Sequence, residues 1–94
     1  MAPTPGYDDF RALVHQRFTV DGPAGEVVLE LESAEATAQP GRPPGFRLLF
    51  RGPQATPLPQ GTYAFRHPRC STGIFIVPIG LDPAGYRYEA IFNP

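Results

Sequence analysis

Two histidines and one cysteine are the only soft metal ligands in the chain, and Cys70 is its only thiol. His67 and Cys70 stand three residues apart in His67-Pro68-Arg69-Cys70, the spacing of half a zinc site. A structural zinc needs four ligands, and only His15 and a carboxylate remain to complete the set, so no metal and no cofactor is expected. The same pair could serve as nucleophile and base in a small hydrolase or transferase. The plainer alternative is a His and a Cys in a connecting turn. Glu30 and Glu32 share one face of a strand pattern and could do acid–base work. Arg47 and Arg51 share the outward face of another, so cross-strand ion pairs explain both sets, each worth under about 1 kcal/mol when exposed. Tyr63, Tyr86 and Tyr88 could line a sugar or nucleobase site, but no basic residues cluster around them, and they read as core aromatics whose hydroxyls reach the rim. None of the glycines opens a helix, so a phosphate-binding loop is not expected. The expectation is a protein that is not an enzyme.

Composition narrows the classes further. The 94 residues suffice for one domain with a modest core. Eight basic residues, all Arg, stand against nine acids, and the net charge is −1. That lacks the electrostatic footprint of a nucleic-acid binder and the polybasic run that holds a chain to an anionic membrane. A single Cys rules out an internal disulfide. The opening Met-Ala-Pro-Thr-Pro-Gly has neither the basic nor the apolar part of a secretory signal, and the longest apolar run, Ile74 to Ile79, is far short of a membrane span. The expected location is the cytoplasm, or an assembly built there.

Pro and Gly together make up 23 residues, yet seven Phe and four Tyr lie between them. That is the pattern of short strands between strongly encoded turns. Residues 1–6 are expected to be a flexible arm and 7–94 a single β-rich domain. Asp8 or Asp9 would cap one helix running to about Gln16, with Phe10, Leu13 and Val14 as its apolar stripe. From Arg17 the period becomes two. Strands are expected at Phe18–Val20, Glu26–Glu32, Phe46–Arg51, Thr62–His67, Ile74–Leu81 and Tyr86–Asn93, with loops over Ala36–Gly45 and the Pro-rich Gly52–Gln60. Pro83 excludes a type I′ turn, so Asp82-Pro83-Ala84-Gly85 predicts a type I turn with Gly85 left-handed. Asp82 would then oppose Tyr86, Gly80 would face Tyr88 and Ile79 would face Glu89.

This register makes two faces. Ile74, Ile76, Tyr86, Tyr88, Ala90 and Phe92 form a core face. Phe75, Val77, Ile79 and Ile91 form a second one, extended by Leu49 and Val28. The predicted fold is mostly β: a small antiparallel barrel or sandwich of about six strands, with the short N-terminal helix as plug or cover. Leu49, Phe75, Val77, Ile79 and Ile91 are the candidate partner-binding residues, for another protein or for self-association. The alternative is that the helix stripe covers this face.

Several stretches carry resemblances. Leu58-Pro-Gln-Gly-Thr-Tyr63 looks like part of the peptidoglycan L,D-transpeptidases, but their Ser-x-Gly-Cys-x-Arg signature is missing, since Cys70 here precedes Ser71 and Gly73. Phe46-Arg-Leu-Leu-Phe-Arg-Gly-Pro53, Leu58–Tyr63, His67-Pro68, Phe75-Ile-Val-Pro-Ile-Gly80 and Tyr88-Glu-Ala-Ile-Phe-Asn93 resemble a small bacterial domain family of unknown function, as do Phe10-x-x-Leu-Val14 and Phe18-Thr-Val20. The chain departs from it at Arg69–Thr72, where the family usually has Leu-Gly. The resemblance implies a gene often found beside phage-tail-collar-like fibre proteins, and so an accessory to a phage-tail-like or fibre assembly. It carries over Arg51, Gln60, Tyr63, His67, Glu89 and Asn93 as polar motif members whose roles stay open; Arg51 and Glu89 could simply pair, and Asn93 could cap a strand end. A non-catalytic interaction module is therefore expected, with a small Cys/His enzyme or a ligand-binding barrel as alternatives.

Overall fold

The computed structural model describes residues 5–38, 40–41 and 44–93. One helix, α1 (Tyr7–Arg11), precedes six strands: β1 (Arg17–Gly22), β2 (Gly25–Thr37), β3 (Gly45–Gly52), β4 (Gly61–Arg66), β5 (Thr72–Asp82) and β6 (Gly85–Phe92). Every pairing is antiparallel, and the order β1-β2-β3-β6-β5-β4 closes into a barrel. The choice between barrel and sandwich is thus decided for the barrel.

Two long strands make closure possible. The first half of β2 pairs with β1 and the second with β3, with an irregularity at Glu32 between. The first half of β5 pairs with β4 and the second with β6, with an irregularity at Ile79. An extra residue bends and twists a strand, which lets one strand serve two neighbours around a tight curve. The run Ser33-Ala34-Glu35-Ala36-Thr37 has no large apolar residue to signal a strand, so β2 continues past the expected end at Glu32; pairing with β3 holds it there. Of the expected loop, residues 39, 42 and 43 lie outside the described residues.

The helix is shorter than its apolar stripe predicts. Gly6, not Asp8 or Asp9, is the N-cap, and its N–H donates to the Asp9 carboxylate at 2.8 Å. After Arg11 the chain continues as tight turns, with Leu13 N–H donating to Phe10 C=O at 2.9 Å. His15 takes a left-handed φ of 74°, and its N–H donates to Leu31 C=O at 2.6 Å while Leu31 N–H donates to Gln16 C=O at 3.0 Å. These tertiary bonds to β2 replace the two helical turns that sequence alone suggests. Of the expected arm, residues 1–4 lie outside the described residues.

The inward faces match the predicted alternation. Phe18, Val20, Leu29, Leu31, Leu48 and Phe50 are fully buried, as are Phe65, Ile74, Ile76, Tyr88 and Ala90. At one end, buried Phe10 meets Phe46 and Phe92, whose rings stack at 4.4 Å. At the other end, buried Leu58 of the Pro-rich crossing donates its N–H to the Tyr88 hydroxyl at 2.8 Å. The helix therefore plugs an end of the barrel.

The β5–β6 hairpin differs in register from the expectation. Asp82 pairs with Gly85, so the ladder starts one residue earlier than the predicted Asp82–Tyr86 opposition. Pro78 has no N–H to give to the ladder, and the irregularity beside it leaves Ile79 as the extra residue. Tyr88 then pairs with Pro78 rather than Gly80, and Glu89 with Val77 rather than Ile79. Two one-residue shifts add to two, the side-chain period of a strand, so the facing of the residues beyond is unchanged. Gly85 has a φ of +125°, and a Cβ there would strike the Gly52 carbonyl oxygen.

Candidate functional site

The expected second face lies on the outside of β3, β6 and β5. Leu49 of β3 and Val77 of β5 flank Glu89 of β6 in one row across the three strands. Ile91, two residues beyond Glu89, pairs with Arg47; Phe75, two residues before Val77, lies toward the same end of β5. Ile91, Phe75 and Ile79 are 51%, 50% and 47% exposed, and Leu49 and Val77 are half-buried. The register brings Leu49, Val77, Ile91 and Phe75 to this side, while Ile79, the extra residue at the β5 irregularity, has no ladder partner. Val28 does not join them: it faces Thr19, in the half of β2 that pairs with β1. Leu81, also exposed, belongs elsewhere too, because beyond the irregularity it pairs with Tyr86.

The charges of this face are internally matched. Arg47 Nε lies 2.6 Å from Glu89 Oε2, and its Nη1 is 3.8 Å from Glu35. Glu89 thus pairs with Arg47, not with Arg51 as the motif resemblance suggested. Arg51 bridges Glu32 at 3.2 Å and Asp82 at 2.9 Å. Arg87 lies within 3.6 Å of the same two acids. The expected partnership of the strand carboxylates with arginines holds for Glu32, reached across the β2 irregularity. The Ala84 N–H, aided by Arg51, holds the Asp82 carboxyl below its ordinary value. Arg66 is paired with Asp21 and Glu26.

Cys70 and His67 are each engaged in contacts of the surrounding structure. His67 Nδ1 accepts from the Arg69 N–H at 3.0 Å, and its Nε2 lies 2.7 Å from Gln16 Oε1. The ring also packs on Phe18, centroids 5.1 Å apart. Both nitrogens are engaged. The Cys70 side chain joins the core cluster, and burial pushes its thiol up, away from the thiolate a nucleophile needs. Among the described residues no group of three or more His, Cys, Asp and Glu converges as a metal site would.

The tyrosines divide by depth. Tyr88 is fully buried and burial raises its pKa; Tyr63 donates its hydroxyl to Pro59 C=O at 2.5 Å at the rim. The barrel axis is filled by aromatic rings, with Phe18 edge-on to Phe50 at 5.8 Å and Phe50 against Phe65 at 4.9 Å. A small cleft of about 230 Å³ lies outside the barrel, between the β1–β2 turn and Pro57-Leu58. No helix among the described residues is long and apolar enough to cross a membrane.

Comparisons with curated proteins and with solved structures return no match. The sequence pattern of one family does match, over nearly the whole barrel and its helical plug: by its fit to residues 5–92, the chain belongs to the family described as Domain of unknown function (DUF6916).

Proposed function

We propose that this domain is a non-catalytic protein–protein interaction module, docking through the outer face of β3, β6 and β5. One observation carries the reading: Phe75, Ile79 and Ile91 are about half exposed, whereas the inward side chains of the barrel form one buried cluster. Exposed apolar side chains grouped on one face of a small domain mark a contact surface. The filled axis supports a surface role over ligand enclosure. Service as an accessory of a larger particle, such as the phage-tail-like or fibre assembly implied by the family resemblance, is one setting for such a module.

Ile91→Asp tests the reading. The variant should fold as the wild type does and lose the associations that the wild type makes, compared side by side by sedimentation and by affinity capture. Identical sedimentation and identical captured proteins overturn the proposal. So does a variant that cannot fold, because Ile91 would then belong to a core.

A further inference from the structure

The Pro-rich crossing from β3 to β4 is tied to the barrel differently from the strands it joins. Residues 53–60 enter no ladder. Only Leu58 among them is buried; the other seven, three of them proline, are exposed. We infer that this stretch is a strap that lifts off the barrel as a unit, with Leu58 as its single buried anchor, while the six strands stay folded.

The ties come first. Three side-chain hydrogen bonds hold the strap. Gln54 Nε2 donates to Asp82 C=O at 2.8 Å, Leu58 N–H donates to the Tyr88 hydroxyl at 2.8 Å, and the Tyr63 hydroxyl donates to Pro59 C=O. Only the bond to Tyr88 is buried. An exposed hydrogen bond is exchanged for one to water at small net cost. A segment with one buried side chain and mostly exposed bonds opens locally, at a lower cost than global unfolding. Its three prolines stiffen it, so it moves in one piece, and the small residues Gly52 and Gly61 stand at its two ends, where the hinges must lie.

The wall beneath the strap is the thinnest part of the barrel. β1 and β4 pair only through Thr19–Arg66 and Val20–Phe65, so Asp21 and Gly22 have no partner on β4. Leu58 packs where the two strands part: a Cβ on Gly22 would lie 2.8 Å from Leu58 Cδ2. The cleft of about 230 Å³ between the β1–β2 turn and residues 55–58 is lined by Leu58 itself. Lifting the strap therefore enlarges that cleft and bares the Tyr88 hydroxyl, giving the closed barrel a mouth at the β1–β4 seam.

Native-state amide exchange of the full chain, in graded urea below the unfolding transition, tests the inference. Relative to free-peptide rates, the Leu58 N–H should exchange at least about tenfold faster than the most protected amides of β3, and residues 54–56 and 60 should exchange with it. Its rate should be flat in urea, because lifting one strap exposes little surface, whereas the β3 amides should quicken steeply. Phe10→Leu, at the opposite end of the barrel, should speed the β3 amides and leave the Leu58 N–H unchanged. Should that variant fail to fold, as read by circular dichroism, the urea dependence of the wild type decides alone. A Leu58 N–H that follows the β3 amides, in urea slope or in Phe10→Leu, overturns the inference. So does fast exchange confined to residues 54–56 with Leu58 as protected as β3, since the anchor would then hold while the tip frays.

Discussion

Ile91→Asp separates an outer surface from a core, and its cost can be worked from the structure. Ile91 is 51% exposed and pairs across the ladder with Arg47. Complete burial of an isoleucine contributes about 1.5–3 kcal/mol, so about 1 kcal/mol is at stake here. Asp is a poor strand former, at a cost of up to about 1 kcal/mol. The facing Arg47 returns a few tenths, about 0.2–1 kcal/mol for an opposite-charge cross-strand pair. The net loss should be about 1–2 kcal/mol. For a domain of this size that lowers Tm by about 4–16 °C. Ile76→Asp, with Ile76 fully buried one residue from the outer Phe75, should instead abolish folding, because an unpaired buried charge costs several kcal/mol against a stability of about 5–15 kcal/mol. Urea unfolding followed by circular dichroism measures both. A loss above about 4 kcal/mol for Ile91→Asp, or a variant without cooperative unfolding, refutes the reasoning.

Three other variants or treatments probe the parts that hold this face in place. Tyr88→Phe leaves the buried Leu58 N–H without its acceptor; stability should fall by about 1–3 kcal/mol, and amide exchange should quicken across residues 53–60, whereas unchanged exchange would place water on that N–H. Asp82 has a folded pKa below that of a free aspartate, so its contribution is present above the free value and is lost as pH falls through the lower, folded value. Tm of the wild type should therefore drop in that acid range, and Asp82→Asn should remove part of the slope; parallel pH profiles would count against the Asp82 contacts. Cys70, buried and with its thiol pushed up, should react slowly with iodoacetamide at pH 7 and quickly in urea; fast alkylation of the folded chain would revive the nucleophile reading.

The sequence by itself determined the alternation. Val27, Leu29 and Leu31 against Val28 and Glu30, or Leu48 and Phe50 against Leu49 and Arg51, assign inside and outside because a strand has a period of two. It also placed a turn at Pro83-Ala84, though not the register of the strands that the turn joins. The alternation puts Leu49, Phe75, Val77 and Ile91 on the outer side for the same reason, whereas Ile79 sits at an irregularity that the alternation does not describe. What the sequence could not determine is whatever depends on a distant partner. Ser33–Thr37 becomes strand only through β3, the helix stops at Arg11 because His15 and Gln16 bond to Leu31, and Arg47 finds Glu89 across 42 residues. The hairpin register was off by one at the turn and by another at Ile79, yet the facing survived because the shifts sum to a full period. Whether the second apolar face would be covered or open was the question that mattered for function. Local pattern leaves it undecided, since Phe10 and Leu13 offer the same apolar stripe to a sheet face or to a barrel mouth. Closure settles it: once the order β1-β2-β3-β6-β5-β4 rolls the core face inward, the barrel's open end is where the helix buries its apolar stripe, and the outer face is left to solvent.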